Sequence, residues 1–124
     1  MAVENLDEAV ETYRTVLGGE LEHRETVPSQ GVEAAAVRVG ESRVELLRAL
    51  GDDTPVGKFI ANRGPGMHHV AYEVSDLRGQ LKLLAEQGVE LIDLEPHEGL
   101  FGLEVAFVHP HATHGVLAEL VAVA

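Results

Sequence analysis

The sequence predicts an α+β fold made of two copies of a βαβββ module. The main observation is an internal repeat in which a helical segment is followed by three strand-like segments, twice within 124 residues. The second observation is that these strands follow one another without an intervening helix. That order favours antiparallel or mixed sheets with the helices packed on one face.

Two amphipathic helices are predicted because apolar residues recur at helical spacing. The first covers residues 6–17, with Asn5 as the N-cap and a double glycine as the stop. The second follows Asp76, which occupies the cap position, and ends before Gly88. Residues 3–6 and 74–77 align across the repeat, so the two helices occupy equivalent positions in their modules.

Strands are predicted between turn-forming residues that follow each helix: 21–27, 32–39, 43–50, 89–94, 103–109 and 115–123. One further strand, over residues 68–74, precedes the second helix. The first module has no matching segment, so its first strand is expected to lie before Met1. The predicted organisation is one domain, with module one at 1–50, a linker at 51–66 carrying a short helix over 56–62, and module two at 67–124.

The composition indicates a soluble globular domain and excludes several classes of partner. Nine lysines and arginines stand against 21 aspartates and glutamates, which gives a formal charge of −12. Such a surface repels phosphate backbones and anionic lipids, so neither nucleic acid nor a membrane is an expected partner. The chain has no signal-peptide pattern and no cysteine, so the expected location is the cytoplasm, without disulfides or thiolate ligands.

Two glutamates interrupt apolar strands at matching positions of the repeat. Glu45 lies within residues 44–47 and Glu119 within residues 118–121, and both faces of each strand are apolar. A buried carboxylate costs several kcal/mol unless it meets a cation or hydrogen-bond donors. Because basic residues are scarce in these strands, a divalent metal is the simplest partner. The alternative is that each glutamate lies on a solvated edge strand.

A histidine completes the candidate metal site. His69 begins the strand before the second helix, and that strand is expected to neighbour the strand of Glu119. The repeat therefore predicts a site formed by Glu45, His69 and Glu119, with a fourth ligand at the equivalent position of module one, before Met1. Imidazole and carboxylate ligands suit Co²⁺, Mn²⁺, Fe²⁺, Ni²⁺, Zn²⁺ or Mg²⁺. The alternative for His69 is an ordinary core histidine.

Taken together, these features resemble the vicinal-oxygen-chelate (glyoxalase/bleomycin-resistance) superfamily and, within it, the methylmalonyl-CoA epimerase family. The double histidine at 68–69, the His-Pro at 109–110 and the Gly-Val-Leu-Ala-Glu-Leu run at 115–120 are fairly specific for that family. The resemblance covers nearly the whole chain, through the stretches 30–32, 44–47, 57–59, 66–71, 93–96, 107–110 and 114–120.

The resemblance implies inversion at C2 of methylmalonyl-CoA, assisted by a divalent metal, with Co²⁺ preferred and Mn²⁺, Zn²⁺, Ni²⁺ or Mg²⁺ as alternatives. It implies that Glu45, His69 and Glu119 are the metal ligands. Glu119 is the leading candidate for proton transfer, and Glu45, Glu33 or a water would serve the other face of C2. Glu33 stands one residue away from the register at which some relatives carry a catalytic glutamate, and a shift of one residue reverses the face of a strand.

The same resemblance places His114, Gly115 and Leu117 beside the substrate. The crowded turn that contains His109, His111 and His114 also suggests a second metal site, with a solvated turn as the alternative. A sheet edge left open in module one predicts a homodimer, because unpaired strand groups favour pairing with another copy.

Three other functions are compatible with the sequence. The chain could be a metal-free, antibiotic-sequestering binding protein, another glyoxalase-like or dioxygenase-like metal enzyme of the same superfamily, or an inactive truncated form. The scarcity of aromatic side chains, with three Phe, two Tyr and no Trp, disfavours the binding protein. Metal analysis combined with an assay of exchange at C2 distinguishes these functions.

Overall fold

The computed structural model describes residues 1–123 and divides into two compact units. The first unit spans Met1–His68 and the second begins at His69. The segment over 51–66 that the sequence analysis treats as a linker lies within the first unit. Each unit has one four-stranded sheet with a helix packed on it, and the prediction of paired βαβββ modules is confirmed.

The sheet of the first unit has the strand order β1-β4-β3-β2. Strand β1 is parallel to β4, and the remaining pairs are antiparallel. The elements of this unit are β1 (Ala2–Val3), α1 (Leu6–Leu17), β2 (Glu20–Val27), β3 (Val32–Val39), β4 (Ser42–Ala49) and α2 (Pro55–Arg63). The three predicted strands after α1 and the short helix before the second unit are therefore formed, with bounds shifted by one residue or less at most ends.

The first unit contains a short first strand. The sequence predicts this strand wholly before Met1, whereas Ala2 and Val3 pair in parallel with Leu47 and Arg48 of β4. The pairing is equivalent to the one that the first strand of the second unit makes. The first module is therefore a βαβββ unit whose first strand has two residues.

Helix α1 begins and ends as its sequence predicts. The Asn5 side chain accepts a hydrogen bond from the Glu8 amide at 3.0 Å, and Gly18 closes the helix in the left-handed conformation at φ 66°. Because its apolar residues share one side, the helix buries them on one face of the sheet. The core cluster so formed contains Leu6, Val10, Ala35, Val37 and Leu46.

Strand alternation then fixes which residues face away from α1. Ala35 lies opposite Leu46 on the helix-covered face, so the adjacent pair of Ala36 and Glu45 lies on the other face. Glu45 therefore projects from the face of the first sheet opposite to α1.

Ion pairs connect strands β2, β3 and β4 of this sheet. Arg38 binds Glu20 at 2.9 Å, and Arg43 binds Glu22 at 2.7 Å. Arg24 and Arg48 both bind Glu33. We call these four side chains, Arg24, Arg38, Arg43 and Arg48, the arginine ladder. The ladder engages four of the nine basic side chains with carboxylates of the same unit.

The second unit repeats the arrangement with the strand order β5-β8-β7-β6. Strand β5 is parallel to β8, and Asp76 caps α3 by accepting a hydrogen bond from the Gly79 amide at 3.1 Å. Its elements are β5 (His69–Val74), α3 (Leu77–Glu86), β6 (His97–Glu98), β7 (Glu104–Val108) and β8 (Leu117–Ala122). The core beneath α3 consists of Leu77, Leu81, Ala106, Val108, Ala118 and Leu120.

The strand predicted over residues 89–94 is wrong. In the described chain this stretch makes a single bridge, between Leu91 and Val108, and the strand that pairs with β7 on the side away from β8 is the two-residue β6. The reason is local hydrogen bonding. The Phe107 amide donates to the Asp93 side chain at 2.8 Å, and the Phe107 carbonyl accepts from both Ile92 and Asp93. The Asp93 side chain and the shared Phe107 carbonyl thus replace the regular backbone hydrogen bonds of a paired strand.

Within residues 1–123, no helix combines the length and the apolar character needed to cross a lipid bilayer.

Candidate active site

The repeat places the two singled-out glutamates at equivalent points of their sheets. Glu119 lies opposite Phe107 of β7 and beside Ala71 of β5, whereas its neighbours Ala118 and Leu120 pack under α3. Glu119 therefore projects from the helix-free face of the second sheet, and Glu45 projects from the face of the first sheet opposite to α1. Alternation along a strand explains both placements, because each glutamate is flanked by residues that face the helix.

His69 and Glu119 form a buried pair within the second unit. The distance between His69 Nε2 and Glu119 Oε1 is 3.9 Å, and each side chain is 6% exposed. The edge of the Phe107 ring meets the His69 ring, with centroids 6.0 Å apart and planes at 85°. An imidazole and a carboxylate held together in apolar surroundings are a donor pair for a metal ion, since charge buried there is stabilised by an ionic partner.

Phe107 is a residue of this site that the sequence analysis did not single out. It is the register partner of Glu119, and its ring covers His69. The alternation of β7 could have indicated it. Ala106 and Val108 pack under α3, so Phe107 falls on the opposite face, which is also the face of Glu119.

Glu45 contributes a buried carboxylate oxygen to the first unit. Its Oε2 atom is buried, and the Met1 ammonium donates a hydrogen bond to the Glu45 carbonyl oxygen at 2.8 Å. Burial lowers the pKa of this ammonium, and the Glu45 carboxylate opposes the shift. The Glu45 carboxylate thus opposes part of the effect that burial has on the pKa of the Met1 ammonium.

Glu33 lies on the other face of the first sheet from Glu45. It is the register partner of Arg48 and shares the α1 side with Ala35 and Val37. Arg48 donates to Oε1 at 3.2 Å, and Arg24 donates to Oε2 at 3.3 Å. The hydrogen bond from Arg48 is the largest cause that lowers the pKa of Glu33, followed by the bond from Arg24. The one-residue shift noted in the sequence thus places Glu33 and Glu45 on opposite faces of the first sheet.

We expect this ion pairing to make the stability of the protein depend on Glu33 above about pH 4.5. The folded-state pKa lies below the ordinary value of 4.5, so the stabilisation is present above that value and is lost as the pH falls through the folded value. Glu33→Gln should lower the unfolding free energy at pH 7 by up to about 1 kcal/mol, the size typical of partly exposed pairs.

The measurement is urea denaturation of the parent and of Glu33→Gln at pH 7 and at pH 3. The difference between the two proteins should shrink at the lower pH. Glu41→Gln, at an exposed turn position, is the control, and its small effect on the unfolding free energy should be the same at pH 7 and pH 3. A difference for Glu33→Gln that grows on acidification would contradict the ion-pair interpretation.

The predicted substrate-lining residues lie where β8 begins. His114 and Gly115 form an exposed left-handed turn, with φ values of 58° and 97°, directly after the 3₁₀ turn Pro110–Thr113. Leu117 is the register partner of His69 and shares a face with Glu119. The structure therefore brings Leu117 beside the His69–Glu119 pair. His114 and Gly115 lie just before the N-terminal end of the same strand.

Comparison with known proteins gives the family. A family model described as the glyoxalase/bleomycin resistance protein/dioxygenase superfamily matches residues 1–107. The chain belongs to this superfamily. It is 36% identical to the mitochondrial methylmalonyl-CoA epimerase of Bos taurus, over 97% of this chain and 69% of that protein. The resemblance drawn from the sequence is therefore confirmed.

Solved structures give the same result for the fold of this superfamily member. The methylmalonyl-CoA epimerase from Mycobacterium tuberculosis is similar with a TM-score of 0.93 and 37% identity, over 99% of this chain and 83% of that one. A methylmalonyl-CoA epimerase in complex with methylmalonyl-CoA and NH₄⁺ is similar with a TM-score of 0.93 and 35% identity, over 99% and 90%.

The residues of this superfamily member fit a divalent metal. His69 and Glu119 offer one nitrogen and one oxygen ligand from a buried face, with Nε2 and Oε1 3.9 Å apart. Mixed imidazole and carboxylate donors are typical of first-row divalent ions, and carboxylate oxygens also suit Mg²⁺. A metal bound by these side chains would compensate the cost of burying the Glu119 charge.

Proposed function

We propose that this chain is a methylmalonyl-CoA epimerase, which interconverts the (2R) and (2S) epimers by removing and returning the C2 proton. The observation that carries the proposal is the buried His69–Glu119 pair, with Nε2 and Oε1 3.9 Å apart on the helix-free face of the second sheet. Relatives that share the fold over 99% of this chain are methylmalonyl-CoA epimerases, and one of them was solved with methylmalonyl-CoA.

The metal ligands in this proposal are Glu45, His69 and Glu119. The repeat supports Glu45, because it occupies in β4 the position and the face that Glu119 occupies in β8. Co²⁺ is the ion we favour, with Mn²⁺, Zn²⁺, Ni²⁺ and Mg²⁺ as alternatives that the same donors accept. When bound, such an ion supplies Lewis-acid stabilisation of negative charge on an oxygen of the substrate.

The proton chemistry belongs to the carboxylates. The C2 proton lies between a thioester carbonyl and a carboxylate, so its removal leaves a planar enolate that can be reprotonated on either face. Epimerisation requires a proton acceptor on one face and a donor on the other. In our proposal Glu119 accepts or returns the proton on one face, and Glu45 or a water that it orients serves the opposite face.

The neighbours of Glu119 assist in two ways. Phe107 and Leu117 flank the His69–Glu119 pair with apolar surface, which excludes water and strengthens electrostatic interactions with the enolate. The thioester would enter beside the exposed turn of His114 and Gly115. His114 offers it an imidazole, and Gly115 offers its main chain, which no side chain covers. Leu117, His114 and Gly115 are the substrate contacts we propose.

The direct test is exchange of the C2 proton. The purified protein, stripped of metal and then supplied with Co²⁺, should exchange the C2 hydrogen of methylmalonyl-CoA with D₂O at least about 10⁶-fold faster than the uncatalysed reaction. The metal-free protein is the control and should exchange far more slowly. A protein that binds Co²⁺ yet leaves C2 unexchanged would contradict the proposal, and one without metal or exchange would favour a ligand-binding role.

We further propose a cytoplasmic homodimer. Strands β1 and β5 stand at the ends of their sheet orders, and an edge strand offers main-chain donors and acceptors to a second copy. Sedimentation at micromolar concentration should give twice the chain mass of 13.3 kDa. A monomeric profile across that range would contradict the dimer without affecting the catalytic proposal.

A further inference from the structure

The second unit carries a compact group of two imidazoles and one carboxylate outside the candidate active site. His109 Nε2 lies 3.4 Å from Glu90 Oε2, and His111 Nδ1 lies 3.4 Å from Glu90 Oε1. The two rings have centroids 4.2 Å apart. One ligand atom from each residue lies within 4.8 Å of the other two. We call these residues, Glu90, His109 and His111, the surface triad.

The main chain holds the surface triad together. The His109 amide donates to the Glu90 carbonyl at 3.1 Å, one position beyond the bridge between Leu91 and Val108. His109 also caps the 3₁₀ turn that carries His111, because its Nδ1 atom accepts from the His111 amide at 3.1 Å. The three side chains are therefore brought together by backbone pairing between distant segments, in addition to their own attraction.

We propose that the surface triad is a second divalent-metal site, for a first-row transition ion such as Zn²⁺ or Ni²⁺. Two imidazole nitrogens with one carboxylate oxygen are donors that such ions prefer, whereas Mg²⁺ prefers an all-oxygen shell. The proposal is independent of the proposed enzymatic function, because none of the three residues belongs to the His69–Glu119 site.

Charge balance supports a cation at this position. Glu90 directs one oxygen toward each ring. Neutral imidazole rings bring no charge to offset that of the carboxylate, whereas a divalent ion would offset it and accept a nitrogen lone pair from each ring.

The site should bind less tightly than the buried one. The side chains of Glu90, His109 and His111 are 55%, 31% and 79% exposed, so ordering them costs entropy. Ligation through His109 Nε2 also moves the ring proton to Nδ1, and the His111 amide then donates to water instead. The expected result is two classes of metal site with different affinities.

The test is a Zn²⁺ titration of the metal-free full chain by calorimetry, in the presence of excess Mg²⁺. The parent should show two binding events. His111→Ala and Glu90→Gln should each raise the dissociation constant of the weaker event by about tenfold or more, as expected when a site loses a ligand or its charge. His23→Ala is the matched control, since His23 is an exposed histidine with one carboxylate, Glu25, 3.9 Å away.

The outcomes separate this site from the active site. His69→Ala should abolish the tighter event and leave the weaker one intact. A weaker event that is unchanged in both His111→Ala and Glu90→Gln would overturn the proposal, as would its absence from the parent or its loss in His23→Ala. Failure of the C2 exchange assay would leave the surface titration unaffected.

Discussion

Replacing Glu119 by glutamine should slow C2 exchange by about 10²–10⁴-fold, the range over which a single acid–base group contributes. Glutamine keeps the shape of the side chain, but its amide cannot accept the C2 proton. It also removes a carboxylate charge 3.9 Å from His69, so in the proposed site the affinity for Co²⁺ should fall as well. The rate is measured by deuterium incorporation, and the metal by titration of the stripped protein.

The fold should survive this substitution. Glu119 is buried, and replacing a buried charge by a neutral isostere removes its desolvation cost, so the unfolding free energy should stay constant or rise. Glu73→Gln is the matched control, because Glu73 is an exposed carboxylate on the same face of the neighbouring strand. If Glu119→Gln exchanged the C2 proton at the parental rate, Glu119 would have no role in proton transfer.

Replacing Leu46 by alanine should destabilise the protein by about 2–5 kcal/mol, the cost of a large-to-small change in a packed core. Leu46 is fully buried beneath α1 and lies opposite Ala35 of β3. The neighbouring side chain is therefore already small and cannot fill the cavity. Because a domain is stable by only about 5–15 kcal/mol, this loss removes a large share of the total.

The measurement is the unfolding free energy from urea denaturation, compared with that of Leu17→Ala. Leu17 closes α1 but is 52% exposed, so its truncation should change stability by no more than about 0.5 kcal/mol. Similar effects at both positions would mean that α1 does not pack on the first sheet as described.

The architecture was predictable because each local signal agreed with the global fold. Strand β3 has the bounds that its sequence predicts, since a glycine in the left-handed conformation precedes it and a glycine turn follows it. The N-caps Asn5 and Asp76 were also predictable, because each side chain accepts a hydrogen bond from a backbone amide of the first helical turn. Where side-chain hydrogen bonds compete with the ladder, as Asp93 does at Phe107, the apolar pattern predicted a strand that is not formed.

The candidate site was predictable only in part. Alternation alone gave the face of Glu45, and it also explained why Glu33 belongs to the opposite face. The surface triad depends on a backbone pairing between Glu90 and His109, which are far apart in sequence. Two histidines in one turn were visible in the sequence, but no local pattern identified the carboxylate that joins them.

The arginine ladder has a consequence for the kinetics of encounter. The formal charge of −12 already includes all nine basic side chains, and the ladder engages four of them, Arg24, Arg38, Arg43 and Arg48, with carboxylates of the protein itself. A coenzyme A thioester carries several negative charges, so diffusion toward this surface is opposed by long-range repulsion. Added salt shortens the range of that repulsion, and association should therefore become faster with ionic strength, the reverse of the usual electrostatic steering.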